Sequence, residues 1–175
     1  MEINFRKLHP NESNSYREIR LQCLKDYPKN FTSNYQDEKA KDKLFFQSCI
    51  ESSNASNFVI GAFHKDKLIG ISGFNRHDRK KTNHRGIIIQ VFVAPEYQGK
   101  HIGLNIIKST LNEAFKINGI EQIEIDVITI NKNAEKIYEK IGFEQYGIQK
   151  NFLKIDNEYY DHKMMIIFKN QYVNS

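Results

Sequence analysis

Apolar residues change their period along this chain, and the changes divide it into strands and helices. Ile3 to Leu8 alternates like an edge strand, and Pro10 with Asn11 punctuates its end. From about Glu12 to Tyr27 the set Tyr16, Ile19, Leu21, Cys23 and Leu24 follows helical spacing, which Pro28 stops. A second helix is expected from about Gln36 to Ser52, around Leu44, Phe45, Cys49 and Ile50. Phe58 to His64 and Leu68 to Phe74 read as a hairpin closed by Lys65, Asp66 and Lys67, and Gly86 to Val93 as the next strand. Gly103, Ile107, Leu111 and Phe115 then recur every fourth residue, a helix with Asn118 and Gly119 placed to terminate it. Gln122 to Ile130 is a strand and Asn131 to Gly142 a short helix. Two strands follow, about Phe143 to Ile155 and Tyr159 to Phe168, joined at Asp156 and Asn157.

Strand, two helices, three strands, helix, strand, helix and two strands call for an α/β (α+β) mixed sheet with helices on both faces. Gly86 to Ile130 is expected to be a right-handed parallel crossover. Ligands in such sheets sit at the carboxyl ends of strands, near a helix start. The 175 residues, 39% of them hydrophobic, suit a single domain over 1–175. The longest apolar stretch, Ile87 to Ala94, is broken by Gln90 and too short for a bilayer, so a soluble, cytoplasmic protein is expected. Cys23 and Cys49 have no neighbouring Cys or metal-spaced His. They read as reduced, partly buried thiols without a role, and no metal is expected.

A net charge of +5 suits an anionic ligand as well as nucleic acid. The basic run Arg76 to Arg85 lacks the interleaved aromatics that stack bases, so it reads first as a solvated hairpin tip; attraction for an acidic acceptor and RNA binding are the alternatives. The sharpest chemical signal lies at Val91 to Leu104, where a β-branched strand breaks at Pro95 into a turn holding Gly99 and Gly103 that opens a helix. Unpartnered N–H groups at such a start, with the helix dipole, favour phosphate. The stretch lacks the Gly-Lys-Ser/Thr of a P-loop and the three glycines of a dinucleotide fingerprint. Its two glycines stand too far apart for a KH loop.

Val93, Pro95, Gln98, Ile102 and Gly103 are in register with the acetyl-CoA loop of the GCN5-related N-acetyltransferase (GNAT) superfamily, except that His101 stands where the middle glycine is usual. Across one further strand, Asn131, Ala134, Ile137, Tyr138, Gly142 and Phe143 resemble the superfamily's later signature. Each residue of that second set also has an ordinary reading, with Asn131 as a helix cap, Gly142 as a terminator and the apolar residues as core. Together the two sets identify the chain as similar to GNAT acetyltransferases.

The resemblance implies the GNAT fold, with a central, mostly antiparallel sheet, and transfer of acetyl from acetyl-CoA to a primary amine by direct attack in a ternary complex. It implies that the CoA pyrophosphate rests on the backbone of Gln98, Gly99, Lys100, His101, Ile102, Gly103 and Leu104, and that Asn131, Ala134 and Tyr138 belong to the cofactor site. His101 matters there only if its position requires positive φ or its ring meets phosphate. A strand bulge in the family admits the pantetheine, which places the main chain of Val91, Phe92 and Val93 along it, one amide polarising the thioester. Tyr138 matches the position of the acid that protonates the departing thiolate.

No general base is named. The strand Ile87, Ile88, Ile89, Gln90 lacks the Glu of many relatives, and Asp126, Glu96 and His84 remain candidates beside ordered water or an amine of lowered pKa. Phe31, Tyr35 and Tyr160 are the expected acceptor-side residues. Tyr159, Tyr160 and Asp161 resemble a tyrosine and acid pattern found beside acceptor sites. Arg20, Leu21, Pro28, Phe31, Ser33 and Tyr35 resemble bacterial acetyltransferases of undefined acceptor, including those labelled as modifying ribosomal proteins. The acceptor is a small amine or a protein or peptide amine, and the protein a monomer or homodimer without a membrane partner. An acyl-CoA sensor without catalysis and, less favoured, a basic RNA-binding module are the alternatives.

Overall fold

The computed structural model describes residues 1–173, and the last two residues of the expected unit lie outside them. The chain runs through β1 (Asn4–Lys7), α1 (Ser13–Asp26), α2 (Tyr35–Ala40), α3 (Phe45–Glu51), β2 (Asn57–His64), β3 (Lys67–Arg76) and β4 (Arg85–Val93). It continues through α4 (Ile102–Phe115), β5 (Gln122–Ile128), α5 (Lys132–Ile141), β6 (Glu144–Ile155), β7 (Glu158–Phe168) and a short α6 (Lys169–Val173). Seven strands make one sheet in the order β1-β2-β3-β4-β5-β7-β6. Every neighbouring pair is antiparallel except β4 and β5, the parallel pair that α4 connects.

Each face of the sheet carries its own core. On one, Ile106, Ile107 and Leu111 of α4 and Tyr138 and Ile141 of α5 meet Ile60, Ile88 and Ile123. On the other, Tyr16, Cys23 and Leu24 of α1 and Phe46 of α3 meet Val59, Ile71 and Phe92. Helices therefore cover both faces, as the element order requires.

The single helix expected over Gln36 to Ser52 is two, α2 and α3, with extended backbone at Lys41 and Leu44 between them. Of the five residues between Glu38 and Leu44 only Ala40 is apolar, so no stripe could seat a continuous helix on the sheet. Leu44 instead turns into the core, 1% exposed, and the Gln47 side chain accepts from its amide at 2.9 Å. Arg17 of α1 takes the carbonyls that the break frees, reaching Lys39 at 3.0 Å and Lys41 at 2.7 Å.

β4 contains the irregularity that shapes the site. Ile71 pairs with Phe92 and Gly73 with Ile89, so Ser72 alone faces both Gln90 and Val91, and Gln90 adopts φ +60°. The extra residue reverses the strand's alternation: Ile88, Val91 and Val93 pack with the α4 face, whereas Ile89, Phe92 and Ala94 pack with the α1 face. β4 and β5 pair only from Arg85 opposite Gln122 to Ile88 opposite Ile125. Beyond the bulge they part.

The run Arg76 to Arg85 forms the turn between β3 and β4. Its tip, Asp78 to Lys81, is exposed, and Arg85 is tied into the sheet by a 2.6 Å bond to Glu124. Among the described residues, no helix is long and apolar enough to cross a membrane.

Candidate active site

The parting strands open a cleft of about 970 Å³ lined by Gln90 to Val93, Gln98, Gly99, His101 to Leu104, Asp126, Asn131, Ala134, Tyr138 and His162. Its size suits a small-molecule site. The amide of Ala94 donates to the Ile69 carbonyl of the neighbouring strand, β3, at 2.9 Å. Antiparallel alternation then turns the Phe92 main chain toward β3 and those of Val91 and Val93 toward the gap. Of the three expected strand contacts, Phe92 is therefore the exception: its polar groups are directed to the ladder, and its ring is buried 5.8 Å from Tyr27. The Val93 carbonyl already accepts from the Gln98 side chain at 3.0 Å, leaving its amide for a ligand.

At the open end of the cleft, Pro95 to Tyr97 make one tight turn, and Gly99 (φ +76°) and His101 (φ +59°) are both left-handed before α4 begins. His101 thus occupies a conformation that glycine adopts without strain and a β-carbon resists. The first intrahelical bond runs from the Asn105 amide to the His101 carbonyl at 3.0 Å, so the amides of Ile102, Gly103 and Leu104 precede the ladder. His101 supplies no side-chain cap, and no acid lies in the first turn. The amides and the positive end of the dipole are open to an anion.

Lys100 is absent from the wall, its ammonium lying 5.6 Å over the Tyr97 ring; a long, exposed side chain follows the aromatic surface outward. On α5, Asn131 accepts from the Ala134 amide at 3.2 Å and Gly142 ends the helix at φ +108°, so both keep their ordinary structural roles while Asn131 and Ala134 face the cleft.

Tyr138, 6% exposed, packs against Phe143 at a ring distance of 6.2 Å. Burial, with the Asp126 charge second, raises its phenol well above the ordinary range. Asp126 is the cleft's unusual carboxyl group. Burial, reinforced by Glu124, pushes it from 3.8 up to about 6, and its Oδ1 is buried without a hydrogen-bond partner. His162 on β7 lies 4.0 Å from Asp126 and stacks on Phe152 at 4.2 Å. Burial lowers the His162 pKa from 6.5, so the imidazole is neutral at neutral pH and the contact is not an ion pair there. The other base candidates lie apart from this constellation: Glu96 pairs with Lys67 at 3.6 Å, and the carbonyl of His84 accepts from the Glu121 amide at 2.8 Å beside the β3 to β4 turn. Cys23 is buried, and burial lifts its thiol to about 11.

On the opposite side the wall is built by Arg20, Tyr27 and the segment from Asn30 to Ser33, which includes Phe31. The two other residues expected there do not reach it. Tyr35 opens α2, where Asn34 caps the helix and Lys39 lies 5.7 Å over the ring. Tyr160 is buried against Lys29, accepting from its ammonium at 2.7 Å and donating to Glu158, so it props the Pro28 to Asn30 turn. Asp161 likewise accepts from the Asn151 amide at 3.0 Å and Lys150 at 2.7 Å. His162, Phe152 and Tyr27 had no distinguishing sequence signal. They come from strands and helices distant in the chain.

Residues 20–143 match the family described as the Acetyltransferase (GNAT) family. Over 91 residues the chain is 33% identical to spermidine N(1)-acetyltransferase of Vibrio cholerae, a match covering 52% of this chain and 53% of that protein. The aligned stretch spans about half the length of such curated relatives. The fold is similar to an acetyltransferase of the GNAT family from Streptococcus pneumoniae, with TM-score 0.79, 19% identity, and coverage of 95% of this chain and 99% of that one. It also resembles Salmonella typhimurium yncA, solved with its cofactor acetyl-CoA, with TM-score 0.79, 13% identity, and coverage of 96% and 94%.

Proposed function

Because the chain belongs to the GNAT acetyltransferase family, we propose that it transfers the acetyl group of acetyl-CoA to a primary amine by direct attack in a ternary complex. The observation that carries this reading is the gap between β4 and β5, which ends at the uncapped start of α4. The pantetheine amide groups lie along β4 like an added strand, bonded to the main chain of Val91 and Val93. The pyrophosphate rests on the amides from Gly99 to Leu104.

Asp126 takes the proton that the acceptor ammonium must lose, since a carboxyl group near pH 6 is ionised yet still basic at neutral pH. The amine nitrogen then bonds to the thioester carbon, and a cleft-facing amide of Val91 or Val93 stabilises the oxyanion. The carbon–sulfur bond breaks, and the departing thiolate takes the Tyr138 proton. Desolvation raises the thiol's pKa in the same dry cleft, so phenol and thiolate remain close enough in basicity for the transfer. The sensor alternative gives no account of a buried phenol and a desolvated carboxyl group in one cleft. The RNA reading rests on an exposed turn that the cleft does not use. Two reduced, buried thiols suit a cytoplasmic setting.

A melting scan followed by thiol release tests the reading. Acetyl-CoA at a hundred times Kd stabilises a single-site binder by about 2.7 kcal/mol. Absence of a shift overturns the reading. A shift without thiol release across amines and peptides leaves a sensor.

A further inference from the structure

The cleft wall contains a buried cation that the acetyl-transfer machinery does not use. Arg20, on α1, is 2% exposed and borders the cleft. Its Nη1 donates to the Cys23 sulfur at 3.6 Å, its Nε is buried without a partner, and its guanidinium lies 5.0 Å from the Phe31 ring centre. No acid forms an ion pair with it among the described residues. Glu38, whose charge is felt by the neighbouring Tyr16, is held by Lys41 at 2.5 Å, and Asp26 acts on Cys23 without reaching Arg20.

A guanidinium does not shed its charge, so burial without a counter-ion is costly unless an anion completes the site. A sulfur acceptor and an aromatic face are weak partners for a fork that binds carboxylates through two parallel bonds. The CoA phosphates are not the missing anion, because α1 packs on the opposite face of the sheet from α4. The cleft's other charged lining residues are Lys136, Lys140 and the single acid Asp126. A polyamine would need several carboxylates here and would meet Arg20 instead.

We propose that the acceptor is a small amine that also carries a carboxylate, which Arg20 binds beneath Phe31 while the amine faces the thioester. This rests on the acetyltransferase reading and names the acceptor class for it. The primary amine of an amino acid has the required pairing of groups, and an amine bearing a phosphonate or phosphinate shares the chemistry.

The test compares wild-type protein on matched acceptors: free amino acids, the same amino acids as carboxamides, their decarboxylated amines, and spermidine. With saturating acetyl-CoA, thiol release is expected to favour at least one free amino acid over its amide and its decarboxylated amine by about tenfold or more in kcat/KM. An aminoalkyl phosphonate in the same assay distinguishes carboxylate from other small anions. Arg20→Gln is expected to raise KM for the carboxylated amine and erase the preference, leaving the acetyl-CoA melting shift in place. If that variant does not fold, the wild-type comparison decides alone.

Equal or better use of spermidine or of the uncharged partners overturns the proposal. So does an acetyl-CoA shift with no free amino acid either releasing thiol or adding to the stabilisation. Failure of acetyl-CoA itself to shift the melting point removes the acetyltransferase reading, and this proposal with it.

Discussion

The Tyr16 hydroxyl donates to the side-chain carbonyl of Gln90 across 2.8 Å, so α1 holds the residue of β4 whose backbone is left-handed. That bond ties the bulged residue of β4 to the helix packed over it. Tyr16→Phe keeps the buried ring and its edge contact with Phe46 but leaves the Gln90 oxygen without this donor. Stability is expected to fall by about 1–2 kcal/mol, with acetyl-CoA affinity falling in parallel. Thermal melting and a binding titration check both. Unchanged values would show that the bulge is held by its main chain alone.

Tyr138→Phe removes one oxygen from a buried site and preserves packing against Phe143. The expected result is a kcat lower by about tenfold or more with acetyl-CoA affinity nearly constant, because a general acid acts in the transition state. Burial keeps the phenol protonated across the working range, so Tyr138 should impose no loss of rate on the alkaline side below about pH 10. Equal single-turnover rates for the two proteins would remove the phenol from the mechanism.

If Asp126 is the base proposed above, its ionisation is expected to tie rate to pH in one direction and stability in the other. Its folded-state pKa, about 6, lies above the ordinary 3.8, so the folded protein binds this proton more tightly than the unfolded chain does. Its contribution to stability is therefore fully favourable below the unfolded value and declines as pH rises toward 6. On the proposed mechanism the rate needs the ionised form and is expected to rise through the same window. Asp126→Asn should cut kcat sharply, remove the acid limb of the pH–rate profile, and raise Tm at pH 8 by roughly 2–4 °C. A retained acid limb in the variant would assign that titration to another group.

His101→Gly removes a β-carbon from a left-handed position and is expected to stabilise the protein by about 1 kcal/mol. Gly99→Ala is its converse. A β-carbon there would meet nothing within 4 Å, so its expected destabilisation of about 1 kcal/mol is strain in the backbone and not a clash. Chemical denaturation of the pair separates the two effects. If His101→Gly is more stable but binds acetyl-CoA less tightly, the imidazole contributes to the phosphate site.

Features written in consecutive residues were legible before the fold. The turn from Gln98 to Leu104 and the helix from Asn131 to Gly142 each depend on neighbours in the chain, and their spacing survives translation into structure. The break between α2 and α3 is signalled only by the apolar gap between Glu38 and Leu44, since the residues there are compatible with a helix and the stabilising partner, Arg17, is far away in sequence. The bulge at Gln90 has no residue signature, since a glutamine in a strand does not announce a left-handed backbone. Asp126 and His162 meet through pairing of β5 with β7, and Arg20 meets Phe31 through packing of a loop on a helix. Tyr35 and Tyr160 had the expected chemistry for an acceptor wall but are drawn away by Lys39 and Lys29.

The short overlap of β4 with β5, four residue pairs long, makes the sheet two plates joined by a narrow hinge. One plate is β1 to β4 and the other β5, β7 and β6, each with its own ladders, and the core beneath α4 and α5 runs under both. Across the hinge the amides of Val91 and Val93 have no strand to shield them, so in deuterated water they should exchange early in the unliganded protein and slow together when acetyl-CoA bridges the plates. Joint slowing of the two amides would make the ligand a structural crosspiece between the plates as well as a substrate.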